Sequence, residues 1–428
     1  MVKLKRLKII KYRNVRPGTE LRFDDGFNLV LGQNGGGKTT LLGLIAHVLS
    51  QDFSSMQDEV FSLEYELAEG DRSLHASIEG RGRPDRTDDS DLPVPSRPDY
   101  QYTLELRELE IPYLSIRGTP QRTELETSTT KLDVPVQSLF EPNFAAIVLF
   151  NGGQKQRLNS PDRKLLIASP VFRFDEALEC FHSLAGRRAP RPGVATPPPM
   201  TLAVTGRGGK ASMITGQFAP YALGVPLFGR VGAPGGELHF TLGEPGNVPP
   251  SFAFLDAAGR LIGALEVTCR PASKKLEERG TEVSLEVEGL EFSFKRANGT
   301  TLDQDLLSYG QKRLLTFFYY LTVHDTFVIA DELVNGLHHR WIDACMSAIG
   351  DRQAFLTSQN PLLFDYIPDF ESAAQLQSCF ITCKTEVVDG SEELVWQNMS
   401  EDDADRMFDS YRAEIQPLGE ILITRGLW

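Results

Sequence analysis

Eight residues near the start of the chain, Gly32-Gln33-Asn34-Gly35-Gly36-Gly37-Lys38-Thr39, have the makings of an anion cradle. They fit the spacing G-x4-G-K-[ST] without a gap. Glycine lets the backbone turn its N–H groups inward around phosphate. Lys38 brings a positive charge to β and γ phosphates, and Thr39 a hydroxyl for Mg2+. Asn34, Gly35, Gly37 and Thr40 complete the candidate contacts. A second candidate is Asp331-Glu332, two acids that end the apolar run "FVIADE". Beside a phosphate loop, such an Asp holds Mg2+ directly or through water, and the Glu polarises the attacking water as base or by orientation. The third is "LLSYGQKRLL" at 306–315. Ser308 is a good helix N-cap, and Gln311 completes an S-x-x-Q capping box. Gly310 opens a hydrophobic helix there at about 1 kcal/mol against Ala, and so calls for a reason. A capped helix start that permits close backbone approach is also an anion site.

These residues need elements to hold them. "FNLVLG" (27–32) reads as a short apolar strand and "TTLLGLIAHVLS" (39–50) as an amphipathic helix, so the glycine-rich loop lies between strand and helix. "VKLKRLKIIKY" alternates apolar with basic residues, as a half-buried strand does. Residues 59–80 and 101–115 alternate as antiparallel strands, joined through a polar, Pro-rich loop at 81–99. "FAAIVLF" (144–150) reads as a buried strand, and "FRFDEALECFHSLAG" (172–186) as a helix stopped by Gly186. Residues 187–250 are rich in Pro and Gly, which suits loops and short strands. In "TEVSLEVEGLEFSF" the apolar phase flips at Gly289, so a bulge or tight turn is expected there. "TFVIADE" (326–332) and "QAFLTSQNP" (353–361) are strands with polar ends. Neither an internal repeat nor a sustained heptad pattern is visible.

Net charge is −14, which argues against a general polyanion binder, since non-specific affinity for DNA comes from neutralised phosphates. A local basic patch remains at Lys3, Lys5, Arg6, Lys8, Lys11, Arg13 and Arg16. Hydrophobic residues make up 41% and charged residues 24%, enough for a sizeable core. The five cysteines, Cys180, Cys269, Cys345, Cys379 and Cys383, are scattered without a C-x-x-C pair, so neither a zinc site nor a disulfide framework is expected. They read as buried thiols. The N-terminus has no apolar h-region, and no apolar stretch approaches the roughly 18 residues of a membrane helix. A soluble cytoplasmic protein without membrane contact is expected.

"LSYGQ" before a helix, then a short spacer and "FVIADE", resembles the signature and Walker B of ABC-type ATPase heads, a group that includes SMC, RecF and OLD-like proteins. "ELVNGLHHRW" (332–341) resembles the E-x-x-N-G-L-H-P run that follows the catalytic acid in OLD-like ATPases. "LTSQNPLL" (356–363) resembles their T-S-H-S-P switch, with Gln359 in the place of the usual His. Gln donates a hydrogen bond but carries no proton, which bears on hydrolysis rate more than on binding.

The resemblance, which covers about the first fifty and the last hundred and thirty residues, implies an α/β fold, a P-loop NTPase with an ABC-type ATPase head; the middle, outside it, reads as a β-rich insertion with no long coiled coil. Helix-breaking residues at 187–250 agree with the last point. It implies three segments: an N-terminal lobe with Walker A (1–160), the middle region (161–280), and a C-terminal lobe with signature, Walker B, D-loop and switch (281–428). ATP and Mg2+ are the implied cofactors. Glu332, Lys38 and Gln359 are the implied catalytic residues, with Thr39 and Asp331 on the metal. Such heads dimerise, the signature of one subunit closing over the γ-phosphate held by the other. Ser308, Gly310 and Gln311 would then act in trans, Asn335, Gly336 and Leu337 would form the dimer-contact loop near His338, and Arg13 would lie near adenine or phosphates. Gln154 and Gln156 are candidates for the glutamine that joins the lobes.

No second catalytic constellation stands out, neither the Glu and D-x-D of a Toprim-type nuclease nor an HNH-like cluster. The resemblance therefore implies a homodimer or higher homo-oligomer that controls a separate effector, a nuclease, like the stand-alone bacterial ATPases of antiphage defence (PtuA- or AriA-like). Nucleic acid is not required for that role. Two other readings stay open at this point: a RecF-like DNA-binding ATPase in repair, using the basic N-terminal strand, and a nucleotide-sensing scaffold that hydrolyses little.

Overall fold

The computed structural model describes residues 1–56, 58–82, 100–119, 122–127, 131–134, 148–151, 154–157, 165, 171, 173–178, 200–205, 211–214, 237–244, 246–279, 282–324, 326–367, 369–413 and 418–424. The chain forms two compact units that interleave in sequence. The first takes Met1–Val171, Thr326–Glu332 and Asp351–Trp428, and the second Phe172–Asp325 and Leu333–Gly350.

Among its described residues the first unit has a two-stranded sheet, Val148–Asn151 with Gln154–Arg157, and two large ones. One is parallel at its centre, in the order Phe327–Ala330, Gln353–Thr357, Phe27–Leu31 and Phe380–Val388, with Ser391–Asn398 antiparallel on the edge. Two of its parallel strands are covered on both faces: Phe327–Ala330 and Gln353–Thr357 are buried throughout. The helix Lys38–Ser50 follows the central strand through the glycine-rich loop and buries Leu41, Leu42, Leu44, Ile45, Val48 and Leu49. Two uncharged polar side chains lock the strand ends. Gln353, fully buried, accepts from the Leu4 N–H at 2.8 Å and donates to the carbonyls of Leu4 and Asp24. Asn28 accepts the Asp24 N–H at 2.8 Å and donates to the Asp24 and Ala354 carbonyls. Buried amides of this kind persist because all their bonds are met.

The second sheet of this unit has eight antiparallel strands, in the order Thr19–Arg22, Lys3–Tyr12, Val60–Glu69, Arg72–Arg81, Tyr100–Glu108, Ile111–Thr119, Arg122–Thr127 and Lys131–Val134. Period-two burial is regular in Val60–Glu69, where Phe61, Leu63, Tyr65 and Leu67 point inward. The strand Lys3–Tyr12 departs from plain alternation. Its register against Val60–Glu69 shifts at Lys5 and again at Ile10, so Leu4, Leu7, Ile9 and Tyr12 all face the core and Ile10 is left exposed.

In the second unit, Ala264–Arg279 and Glu282–Arg296 make a long hairpin. It is flanked by Leu238–Thr241 on one side and by Met200–Thr205 and Ala211–Ile214 on the other, with Thr301–Asp303 pairing to Glu282–Arg296. The middle of the chain is thus rich in β-structure. The phase flip at Gly289 is resolved as a bulge: Ala272 faces Gly289, Ser273 faces Val287, and Glu288 has no opposite residue. The helices Ala253–Leu261, Tyr309–Val323 and His339–Ile349 belong to this unit, with the Phe254 ring tilted against Tyr319 at 5.1 Å and edge-on to Phe292 at 6.3 Å.

The longest helix among the described residues has 15 residues, and none forms a coiled coil. None is long and apolar enough to cross a membrane. Of the expected elements, most of "FAAIVLF" and the end of the 172–186 helix lie outside the described residues; 148–151 is a strand and 174–178 is helical. The side chains of Gln154 and Gln156 also lie outside them.

Candidate functional site

Strand Phe27–Leu31, the glycine-rich loop and helix Lys38–Ser50 place Lys38 and Thr39 at the first helical turn. Three glycines owe their place to close contacts. Gly32 has φ +134°, and a Cβ there would lie 1.9 Å from the Cys383 carbonyl oxygen. A Cβ on Gly36 would meet the same oxygen at 2.5 Å, and one on Gly37 (φ +85°) would meet Leu394 Cδ1 at 2.9 Å. The loop is therefore pressed onto the hairpin Phe380–Asn398. Two hydrogen bonds hold it there: Trp396 Nε1 donates to the Gly36 carbonyl at 3.1 Å, and Thr385 Oγ1 to the Gly35 carbonyl at 3.2 Å. Neither Trp396 nor Thr385 carries a motif that would single it out in sequence. Lys38 is buried to 8% exposure, and its Nζ donates to the carbonyls of Gly32 (2.6 Å) and Gln33 (3.1 Å).

This geometry gives a graded prediction. Gly32→Ala should destabilise the protein more than Gly35→Ala. The first meets backbone at 1.9 Å, whereas nothing lies within 4 Å of a Cβ at Gly35, where φ +87° is the sole obstacle. A left-handed φ alone costs about 1–2 kcal/mol. Urea titrations of both variants check the order.

The acids arrive from the neighbouring strand. Asp331 and Glu332 directly follow Phe327–Ala330, and Thr39 Oγ1 donates to Asp331 Oδ2 at 2.6 Å. Glu332 sits at φ +53°, in the left-handed region that non-glycine residues rarely adopt. Its N–H donates to Thr357 Oγ1 at 2.9 Å, and its carboxylate accepts the Gln359 N–H at 3.0 Å. Gln359 Nε2 in turn donates to Asn34 Oδ1 at 3.1 Å. Thr357 Oγ1 also donates to Asp331 Oδ1. Asn34, Thr39, Asp331, Glu332 and Gln359 are thus drawn into one network from three separate parts of the sequence, while Lys38 bonds to carbonyls of the loop. Thr357 belongs to it too, and sequence reading passes over this residue in favour of Gln359.

Ser308, Gly310 and Gln311 lie in the second unit. Both halves of the capping box form: the Gln311 N–H donates to Ser308 Oγ at 3.3 Å, and the Ser308 N–H to Gln311 Oε1 at 2.8 Å. Gly310 is buried, and a Cβ on it would stand 2.1 Å from the Gly336 carbonyl oxygen. The contact within the chain is reason enough for glycine: the helix start packs on the turn that carries Asn335, Gly336 and Leu337. Arg313, also buried, donates to the Leu333 carbonyl at 3.2 Å and to Tyr309 Oη at 3.2 Å, with its guanidinium 5.0 Å over the Phe174 ring. His338 caps the helix His339–Ile349. Leu306 and Tyr309, beside Ser308, are exposed to 69% and 58%.

Arg13 makes a two-pronged pair with Glu59 at 2.6 and 2.9 Å and lies over the Tyr12 ring. The other residues of the N-terminal basic cluster are also largely matched. Lys5 pairs with Asp25, Arg6 with Glu20 and Glu64, Lys8 with Glu64, and Arg16 with Glu386 and Glu393; Lys3 donates to two carbonyls. Burial pushes the thiols of Cys269 and Cys383 up to about 12 and raises those of Cys345 and Cys379 as well. All four should resist iodoacetamide at pH 8 in the native protein and react on unfolding, because only the thiolate is nucleophilic; mass mapping of the labelled peptides tests this. Cys180 lies outside the described residues.

The donor set fits a nucleoside triphosphate with Mg2+. The loop is a cradle that a Cβ would fill, Lys38 is a buried cation inside it, and Thr39 with Asp331 offers the hard oxygens that Mg2+ prefers. Residues 6–90 match the family model described as an AAA domain. No curated protein matches the chain in sequence. Similar solved structures include an SMC head bound to the C-winged helix domain of ScpA, 12% identical with TM-score 0.40, covering 92% of this chain and 98% of that one. Others are the SMC head domain from Thermotoga maritima (10%, TM-score 0.34, 93% and 99%) and the Smc head domain with an extended coiled coil, bound to the C-terminal domain of ScpA, from Pyrococcus furiosus (12%, TM-score 0.37, 96% and 100%). The class is an α/β fold of the P-loop NTPase kind, with a glycine-rich loop between a parallel strand and a helix. Strand order, loop and acid placement define it, and not the degree of these likenesses.

Proposed function

We propose that the chain is an ATPase that binds ATP with Mg2+, closes into a dimer around it, and thereby controls a separate effector, a nuclease, in bacterial antiphage defence. The observation that carries the enzymatic part is the link from Thr39 to Asp331 beside Glu332. In this reading the loop N–H groups and Lys38 hold the triphosphate, and Thr39 and Asp331 hold Mg2+. Mg2+ supplies charge neutralisation at the phosphate oxygens. Glu332 draws a proton from the attacking water, and the reaction yields ADP and phosphate. Gln359, bonded to Asn34 and to Glu332, orients without taking the proton.

Dimerisation is supported by the capped helix start at Ser308, which is itself exposed between exposed Leu306 and Tyr309. The effector and the cytoplasmic location follow the resemblance to antiphage ATPases. The RecF-like reading loses its main support, since the basic strand spends its charges on acids of its own chain. Light scattering with and without ATP tests the proposal, on the wild type, Glu332→Gln and Ser308→Arg. ATP should build a dimer or larger assembly that Glu332→Gln traps and Ser308→Arg abolishes. A protein that stays monomeric under every condition would sink the dimer reading. DNA affinity that is salt-sensitive and ATP-dependent would favour the RecF-like role.

A further inference from the structure

Thr357 ends the strand Gln353–Thr357, between the strand that carries the two acids and the strand that carries the phosphate loop. Leu356 is opposite Ala330, and Thr357 is opposite Val30. Its side chain is fully buried, where a hydroxyl must find partners. It finds two, one on each acid. The Oγ1 donates its single proton to Asp331 Oδ1 and accepts the Glu332 N–H at 2.9 Å. With Oδ1 engaged from behind, the other carboxylate oxygen of Asp331 is the one that meets Thr39 Oγ1 at 2.6 Å. The bond from the Glu332 N–H fixes the backbone at the residue with φ +53°. A left-handed φ at a glutamate persists only where neighbours over-determine it.

We propose that Thr357 is a positioning residue for hydrolysis: one hydroxyl orients Asp331 toward Thr39 and holds Glu332 in the left-handed turn that aims its carboxylate. The inference rests on the ATPase reading above and deepens it. Thr357 acts through the acids, to which both of its side-chain bonds go. Valine has the same shape and lacks the hydroxyl, whereas serine keeps the hydroxyl and loses a methyl.

The test compares Thr357→Val, Thr357→Ser and Thr357→Ala. For Val, kcat should fall and the Mg2+ concentration for half-maximal rate should rise, each by about 10–100-fold, as for other residues that orient metal ligands. KM for ATP should stay near wild type, and Ser should restore both quantities. Two readouts are independent of turnover. Mn2+ binding by electron paramagnetic resonance, with a non-hydrolysable ATP analogue, should weaken in Val and recover in Ser. Exchange of the Glu332 amide in nucleotide-free protein should be fast in Val and slow in Ser. If Val does not fold, Ala against Ser gives the same comparison of hydroxyl absent with hydroxyl present. Wild-type kcat, Mg2+ dependence and amide protection in Val would overturn the proposal, as would equal losses in Val, Ala and Ser. A wild type that hydrolyses no ATP would instead overturn the ATPase reading, while Mn2+ binding and amide exchange would still decide Thr357.

Discussion

Glu332→Gln is expected to lower ATP hydrolysis by about 10²–10⁴-fold, the contribution typical of a positioned general base, with nucleotide affinity close to wild type. The geometry behind the expectation is specific. The Glu332 side chain accepts the Gln359 N–H, and its own N–H is held by Thr357, so a glutamine of the same shape can take the same place. What it loses is the ability to accept a proton. Asp331, Thr39 and Lys38 keep their partners, which is why binding should survive. Measurement of steady-state phosphate release alongside equilibrium binding of a fluorescent ATP analogue separates the two effects. A variant that hydrolyses at the wild-type rate would remove Glu332 from catalysis, and one that fails to bind would show that it is needed for the shape of the site.

Lys38→Ala should have the larger effect on binding. A hydrogen bond to a charged group contributes about 1.5–3 kcal/mol, so losing one or two of them should weaken ATP binding by at least about 10–100-fold and take hydrolysis with it. The fold should withstand the change. Lys38 Nζ lies on the carbonyls of Gly32 and Gln33, but the course of the loop is set by other contacts: the Cys383 carbonyl against Gly32 and Gly36, and the bonds from Trp396 and Thr385. A melting temperature near wild type with nucleotide affinity lost is the expected pair of results. A large drop in melting temperature would mean that the lysine serves as an internal strut, and the binding loss would then say little about phosphate.

Much of this was legible in the residues. G-x4-G-K-T between a strand and a helix, two acids at the end of an apolar strand, and an S-x-x-Q cap before a helix are local patterns. Their physics lies within a few residues: backbone freedom at glycine, burial by periodicity, a side chain satisfying an orphan N–H. The flip of apolar phase at Gly289 became a bulge for the same reason, since a period of two tolerates one extra residue only by displacing it.

Tertiary structure decided what each residue is set against. In sequence Gly310 looks free to meet a ligand, yet within the fold it is the only side chain small enough to face the Gly336 carbonyl at that distance. The basic cluster between Lys3 and Arg16 reads as a local basic patch, and most of its charges are met by Glu20, Asp25, Glu59, Glu64, Glu386 and Glu393, from other segments of the chain. Trp396 has no motif of its own, and Thr357 opens the switch-like run without being singled out by it; they matter because a parallel strand and an edge hairpin bring them to the acids and the loop. A pattern in sequence reports forces that act along the chain, whereas close approach and charge pairing act across it, and only the packed fold brings those partners within reach.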